Sequence, residues 1–225
     1  RALDPQDKAV RRELADIEAN LKKSMDLILV VAPVQRIDGL SAEACPGFEA
    51  MFREALQTLL SEQASLGVYV LSPAWTKLFE TKDDRAPDVN GGLNVELKAC
   101  RADSGSGEVT FDWKILTPQP GALVVEGRSV AELSRGLILQ DEQDAAAQNA
   151  MRKLSRRATR GLVEKLEASR SKLDEWLFVL AEYGMKQDDP TVAAEAFARI
   201  RQKGLGRFDA DRLATVERYL DRKID

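Results

Sequence analysis

The chain contains no histidine among its 225 residues. Histidine is the commonest general acid–base group near neutral pH and the commonest ligand of transition metals. Its absence excludes serine–histidine and cysteine–histidine nucleophile pairs. The sequence also lacks a Gly-x-Ser-x-Gly elbow, and residues 34–39, after the first predicted strand, contain a single glycine where a phosphate-binding loop has several. We therefore expect no enzyme activity and no cofactor.

Only two cysteines are present, Cys45 and Cys100, which are too few for a thiolate zinc site within one chain. Cys45 lies at the start of a predicted helix, and Cys100 ends a predicted strand. An oxidising compartment would allow a disulfide between them, and two buried or idle thiols are the alternative. The sequence leaves both readings open.

No apolar run approaches the roughly 20 residues that a membrane-spanning helix needs. The formal net charge of -4 disfavours a general nucleic-acid-binding domain, because such domains are usually basic. The chain opens at Arg1 rather than Met, which is typical of a trimmed or a mature, processed protein. Membrane attachment through a removed N-terminal anchor therefore stays open, and the sequence does not indicate the oligomeric state.

The most informative segment that is present lies between residues 26 and 72. The apolar runs 27–32 and 68–71 are predicted strands, and 45–64 between them carries apolar side chains at helical spacing. Pro46 is expected in the first turn of this helix, and Arg53 is expected on its outward face with the other charged side chains. Two strands joined by a helical crossover normally lie parallel in one sheet, so the segment is predicted to be a βαβ unit.

The middle of the chain changes its pattern. Residues 82–92 are rich in Asp, Pro and Gly and are predicted to form a loop. Apolar and polar side chains then alternate at 93–97 and 109–115, and 123–130 reads as the next strand, which together predict an antiparallel meander. A long amphipathic helix is predicted at 141–169.

The predicted fold class is α/β with a mixed α+β sheet. It consists of a βαβ core, an antiparallel meander, two long helices packed on the sheet and a C-terminal helical appendage. The predicted domains are a lead-in helix in 1–25, an α/β domain in 26–169 and a small helical subdomain in 170–225. The subdomain contains three predicted helices, at 173–185, 191–203 and 210–223.

The densest group of like charges lies on the predicted long helix and comprises Arg152, Lys153, Arg156, Arg157 and Arg160. Helical spacing places the first, third and last of these along one side, with the other two beside them. Such a stripe could bind an acidic protein partner, phosphates or acidic glycans. The alternative is an ordinary solvated helix face.

Two further features are candidates for a site. Trp75 follows a predicted strand and is interpreted either as an anchor for a partner or as a cap on the sheet core. The loop that contains Asp83, Asp84 and Asp88 is the best candidate for a hard cation. It lacks the ligand order of an EF-hand and the closing glutamate, so we predict no metal site.

The order of elements over residues 27–168 resembles the α/β domain of bacterial envelope proteins. That group includes the amino-terminal domain of TolB, the lipoprotein activators of penicillin-binding proteins and the curli-secretion lipoproteins. Segments 29–34, 48–60, 68–73 and 107–113 carry the resemblance, as a strand followed by Pro, a helix, a second strand and a Gly-Glu-Val hairpin. The resemblance implies a non-enzymatic domain, periplasmic and in some members attached to the outer membrane, that recruits or regulates envelope machinery.

The leading hypothesis is a non-enzymatic interaction or scaffold domain of a cell-envelope assembly that binds a protein partner and no nucleic acid. A cytoplasmic adaptor or regulatory domain, whose basic helix binds an acidic partner, is the second hypothesis. A carboxylate-metal hydrolase is the third, and it requires the 83–88 loop to meet other acidic residues in space.

Overall fold

A computed structural model describes residues 27–40, 45–63, 66–71, 91–103, 106–116, 123–134, 143–204 and 208–224. By its internal contacts the chain divides into two compact units. One is Leu27–Ser169, called the α/β unit below, and the other includes Arg170–Asp225, called the helical unit. The predicted lead-in helix, Trp75 and the 83–88 loop all lie outside the described residues.

The α/β unit contains six strands and two helices in its described part. The strands are β1 (Leu27–Val31), β2 (Gln35–Arg36), β3 (Val68–Val70), β4 (Gly91–Asp103), β5 (Ser106–Leu116) and β6 (Leu123–Leu133), and the helices are α1 (Phe48–Glu62) and α2 (Gln143–Ala168). The sheet order is β3-β1-β4-β5-β6, and β2 pairs with β4 beside this path.

The predicted βαβ unit is confirmed. β1 pairs in parallel with β3, with Leu27 opposite Val68, and α1 is the crossover between them. β4 pairs in parallel with β1 and antiparallel with β5, and β6 continues the antiparallel meander. The sheet is therefore mixed, and both long helices pack on it, as the sequence predicts.

The core of the α/β unit lies between the sheet and these helices. Phe48 and Phe52 on α1 meet Phe111 on β5, with ring centroids 5.4–6.0 Å from Phe111. Leu154, on α2, is likewise fully buried. The apolar stripe that predicts each helix is thus the face that it buries.

Some sequence-based expectations for this unit are wrong. Pro46 lies in a turn before α1 rather than in its first turn, because the helix begins only after Gly47, whose φ of 74° breaks the helical path. Gly91 and Gly92 belong to β4 rather than to a loop. A Cβ on Gly91 would lie 2.6 Å from a methyl group of Leu29, so glycine permits the close approach of β4 to β1.

Arg53 is also misplaced by the sequence pattern. Its side chain is only 16% exposed, and it donates hydrogen bonds to the carbonyl oxygens of Val31 (2.8 Å) and Ala32 (3.4 Å) at the end of β1. Glu49, one turn earlier, holds the guanidinium in place at 2.9 Å. A long side chain can lie across an apolar surface while its charged end finds partners, which periodicity alone does not reveal.

The helical unit contains α3 (Arg170–Lys186), α4 (Pro190–Lys203) and α5 (Ala210–Ile224) in its described part. Asp189 caps α4, because its carboxylate accepts from the backbone N–H groups of Thr191 and Val192, and Pro190 takes the first helical position. Ala181, Ala193 and Val216 are among the residues of its core.

Candidate interaction surface

The five basic residues of the sequence prediction lie together on the outward side of α2. All five are exposed, whereas Leu154, Ala158 and Leu162 on the opposite side of the helix are fully buried. The described helix begins at Gln143, and Asn149 extends the same exposed side toward its start. We call the surface of Arg152, Lys153, Arg156, Arg157 and Arg160 the basic face.

Two members of the basic face have partners within the α/β unit. Arg156 lies 3.8 Å from Glu62 at the end of α1, and both side chains are more than half exposed, so the pair contributes little to stability. Arg157 donates a hydrogen bond of 3.0 Å to the carbonyl oxygen of Glu132 on β6. These contacts mark the two borders of the basic face.

The three other members, Arg152, Lys153 and Arg160, form no ion pair with any residue that the structure describes. Their positive charges are therefore directed to solvent rather than used within the described fold. Further along the same helix Glu164 and Glu167 are exposed, so the positive potential is concentrated in the middle of α2. A concentrated patch of one sign attracts a partner of the opposite sign.

Cys45 and Cys100 are brought together in the core. Both are buried, their Cα atoms are 6.0 Å apart, and their sulfur atoms are bonded. The bond joins the turn before α1 to β4 across 55 residues of sequence. The sequence alone leaves open whether these two cysteines form a disulfide.

The opposite side of the sheet carries a second polar surface that the sequence analysis missed. The backbone there forms a concavity of about 550 Å³, lined by side chains of β2, β4, β5 and β6. Among its lining residues, Arg128 donates two hydrogen bonds, of 2.6 and 2.9 Å, to the carboxylate of Asp112 directly across the β5–β6 ladder. The alternation of charged residues along these strands was the available signal.

Four charged residues in and beside this concavity, Glu96, Lys98, Asp112 and Arg128, are paired with one another. Lys98 lies 2.7 Å from Glu96 and 3.8 Å from Asp112. The hydrogen bond from Arg128 lowers the pKa of Asp112 below its usual value, and the nearby positive charges act in the same direction. Such mutually paired charges stabilise a solvated sheet face.

The described residues contain no group of three or more His, Cys, Asp or Glu side chains arranged to hold a metal ion. Nor does any helix within the described ranges have the length and apolar character needed to cross a membrane. The Asp83–Asp88 loop and Trp75 lie outside these ranges, so both remain predictions from the sequence.

No protein-family model matches the chain, and no curated protein matches it. Several solved structures share part of its backbone. A hypothetical protein, CT253, from Chlamydia trachomatis is 13% identical, covers 64% of this chain and 98% of its own, and has a TM-score of 0.42. XCC0632 from Xanthomonas campestris, of family model DUF330, is 11% identical over 62% of this chain and 84% of its own, with a TM-score of 0.41.

A lipoprotein of Caulobacter crescentus, described as putative in its name, is 14% identical over 69% of this chain and 97% of its own, with a TM-score of 0.37. One of these three structures is thus named as a lipoprotein, and the three do not define a single family. Because the identities and TM-scores are low, we infer neither function nor partner from these likenesses.

Proposed function

We propose that this protein is a non-enzymatic interaction domain of a bacterial cell-envelope assembly, located in the periplasm or attached to the outer membrane. In this proposal the basic face of α2 binds an acidic protein partner. The observation that carries the proposal is the group of three exposed cations, Arg152, Lys153 and Arg160, that lacks acidic partners among the described residues.

The Cys45–Cys100 pair supports the envelope as the location. Structural disulfides persist in the periplasm and outside the cell, whereas cytosolic reductants keep thiols reduced. Both sulfur atoms are buried, and the Cα separation of 6.0 Å falls within the range that a disulfide spans. A cytoplasmic adaptor would use the same basic face, but it would gain nothing from this pair.

The architecture supports an interaction role. A helix that is fixed on a sheet by its buried stripe presents its outward side chains on a rigid frame, which lowers the entropy lost on binding. Arginine is enriched at protein interfaces because its planar guanidinium forms paired hydrogen bonds with carboxylates. The expected partner surface is therefore acidic, and its affinity should fall as the salt concentration rises.

The test is site-specific photo-cross-linking of the full-length protein in the cells that produce it. A photoreactive residue replaces Asn149, one turn before Arg152 on the exposed side of α2, and a control replaces exposed Glu108 on β5. We expect a discrete adduct with one protein from position 149 and none from position 108. The triple variant R152E/K153E/R160E should abolish the adduct, because reversing the charges replaces attraction by repulsion.

A matched control for this variant is E164K/E167K, which alters exposed charges elsewhere on the same helix. Both variants must retain the melting temperature and the oxidised cysteine pair, measured by maleimide labelling after acid quenching. An adduct that survives the triple charge reversal would refute the basic face as the binding surface. Reduced, fully labelled cysteines in the cell would refute the envelope location.

A further inference from the structure

The strand β6 is the last strand of the described sheet, since the order ends β4-β5-β6. The carbonyl oxygen of Leu93 on β4 accepts a hydrogen bond from the backbone N–H of Ala32, so the backbone polar groups of Leu93 face β1 rather than β5. In an antiparallel ladder the polar groups alternate sides from one residue to the next. When this alternation is followed through the registers of β4 with β5 and of β5 with β6, the backbone N–H and C=O groups of the even-numbered residues of β6 point away from β5.

Contacts from α2 confirm this direction. Lys165 donates a hydrogen bond to the carbonyl oxygen of Arg128, and Arg157 donates one to that of Glu132. The backbone N–H groups of Arg128, Val130 and Glu132 have no partner among the described residues. An edge strand of this kind is a template for pairing with another strand, and long basic side chains are a usual means of guarding it.

Val130 lies at the middle of this edge and is 55% exposed. It is the single large hydrophobic side chain that is exposed among those described. Its neighbours on the same face of the strand are Arg128 and Glu132, which carry opposite charges two residues to either side. The sequence of the edge is therefore complementary to itself when it is read in the opposite direction.

We propose that a second copy of this chain pairs with β6 in antiparallel orientation, with Val130 opposite Val130 of the second copy. This register places Arg128 opposite Glu132 of the second copy, where Nη1 can donate because Asp112 accepts only from Nε and Nη2, and the reverse pair follows by symmetry. Each of these pairs exchanges two backbone hydrogen bonds, because the outward polar groups of both edges then face one another. The two β5–β6 sheets become one continuous sheet.

The register is selected by charge. Shifting one copy by two residues would place Glu132 opposite Glu126 or opposite Val130, which loses the opposite-charge pairs. Shifting by one residue would join side chains from opposite faces of the sheet. A second copy that carries the same alternation therefore fits this edge, whereas an arbitrary strand would not have the matching charges.

Lys165 and Arg157 must release the two edge carbonyl oxygens when the second copy arrives. These hydrogen bonds are exposed, so their loss is small and is offset by backbone hydrogen bonds to the second copy. The edges alone bury little apolar surface, so the association should be weak and dependent on concentration. This inference does not rest on the proposed function of the basic face.

The first test is disulfide trapping of the full chain. With Cys45 and Cys100 bonded to each other, V130C introduces one reactive thiol. In the proposed register the two Cα atoms at position 130 lie roughly 5.5 Å apart, which suits a disulfide. The matched control is E126C on the same edge, where the two Cα atoms would be about 27 Å apart at roughly 3.4 Å per residue. We expect mild oxidation to give a covalent dimer with V130C and little with E126C.

The second test measures self-association of the unmodified chain and two variants by analytical ultracentrifugation. V130P removes an outward N–H without touching the β5–β6 ladder, and it should abolish the dimer while leaving the fold intact. E132K should raise the dimer dissociation constant about tenfold, because two attractive pairs become repulsive. In the monomer E132K relieves the like-charge pair of Glu132 with Glu108, so it should not lower the melting temperature.

Equal cross-linking at positions 126 and 130 would overturn the proposed register. A chain that is monomeric up to about 1 mM, or a dimer that E132K and V130P leave unchanged, would overturn the proposal as a whole. If position 149 gives no photo-cross-link in the chain with its native basic face, or gives one that survives the triple charge reversal, while the V130C dimer still forms, only the proposed function is refuted.

Discussion

The α/β unit places a cluster of three aromatic rings and a bonded cysteine pair between sheet and helices, whereas the helical unit combines buried aromatic side chains such as Phe178 with buried alanines and Gly184, where α3 and α4 approach closely. Phe48, Phe52 and Phe111 form one aromatic cluster in the first unit. In the second unit Ala181, Ala193 and Ala196 are fully buried. Both units thus bury aromatic side chains, and they differ in that only the α/β unit contains a cysteine pair, whereas the core of the helical unit includes several alanines at a contact between helices.

The basic face and the helical unit also differ in how many of their charged side chains form ion pairs. The basic face of the α/β unit is largely free of ion pairs among the described residues, whereas the helical unit joins its helices by several. Arg212 on α5 contacts Glu175 and Glu182 on α3 and lies over the ring of Phe178, with 4.5 Å from its central carbon to the ring centre. Charges in the helical unit hold its helices together, and those on α2 remain available to a partner.

The largest expected effect is on the aromatic cluster. Phe111→Ala removes the ring that both phenylalanines of α1 contact, and it should lower the free energy of unfolding of the α/β unit by about 3–5 kcal/mol. Hydrogen exchange followed by mass spectrometry reports the two units separately. Protection should fall in β4–β6 and remain in α3–α5, and an equal loss in both units would contradict their division.

The second expectation concerns the cysteine pair. The variant C45A/C100A should lower the free energy of unfolding of the α/β unit by about 2–4 kcal/mol, because the unfolded chain regains the freedom of a 55-residue loop. A reducing agent should have a comparable effect on the native chain and none on the variant. The helical unit contains no cysteine in the sequence, so reduction should leave its exchange pattern unchanged.

Periodicity is sufficient to predict the helices α1–α5, and the rule that strands joined by a helical crossover lie parallel predicts the pairing of β1 with β3. Apolar spacing reports which side of a helix or strand is buried, and Phe52 and Leu154, on the apolar stripes of their helices, are fully buried as expected. The position of Arg53 cannot be predicted from periodicity, because the carbonyl groups that its side chain binds lie at the end of β1, 22 and 21 residues away in sequence. Gly91 was read as a loop residue, since only the approach of β1 shows why glycine is needed there.

The candidate surfaces were predictable to different degrees. The basic face could be located from spacing alone, because a helix places residues three and four apart on the same side. The edge of β6 could not, since it depends on which strand ends the sheet and on the register with β5. Sequence alternation identifies a strand, whereas strand order is decided by contacts between distant segments.

A third prediction tests the close packing of the helical unit. A Cβ on Gly184 would lie 2.7 Å from the backbone nitrogen of Ala193, so Gly184→Ala should force α3 and α4 apart. We expect a loss of about 1–3 kcal/mol in the helical unit. Gly161→Ala is the matched control in α2, where the nearest atom is 3.9 Å away, and it should stabilise the α/β unit by about 0.5–1 kcal/mol. Circular-dichroism melts and hydrogen exchange distinguish these outcomes.

The smallest expected effect is electrostatic and belongs to the helical unit. Lys223 on α5 donates a hydrogen bond of 2.8 Å to Asp188, which lowers the pKa of this carboxyl group below its usual value. The ionised form is therefore favoured in the folded state, so its stabilising contribution is present above the unfolded pKa of about 3.8 and is lost as the pH falls through the folded value.

Asp188→Asn should remove this contribution without straining the backbone, because asparagine also accepts the positive φ of 55° found there. Melting temperatures between pH 3 and pH 7 should fall less steeply for the variant than for the native chain, with the difference confined to the helical unit. Asp112→Asn provides the comparison in the α/β unit, where Arg128 has the corresponding role. If both variants changed the acid limb of the same unit, the two charge pairs would not belong to separate cooperative units.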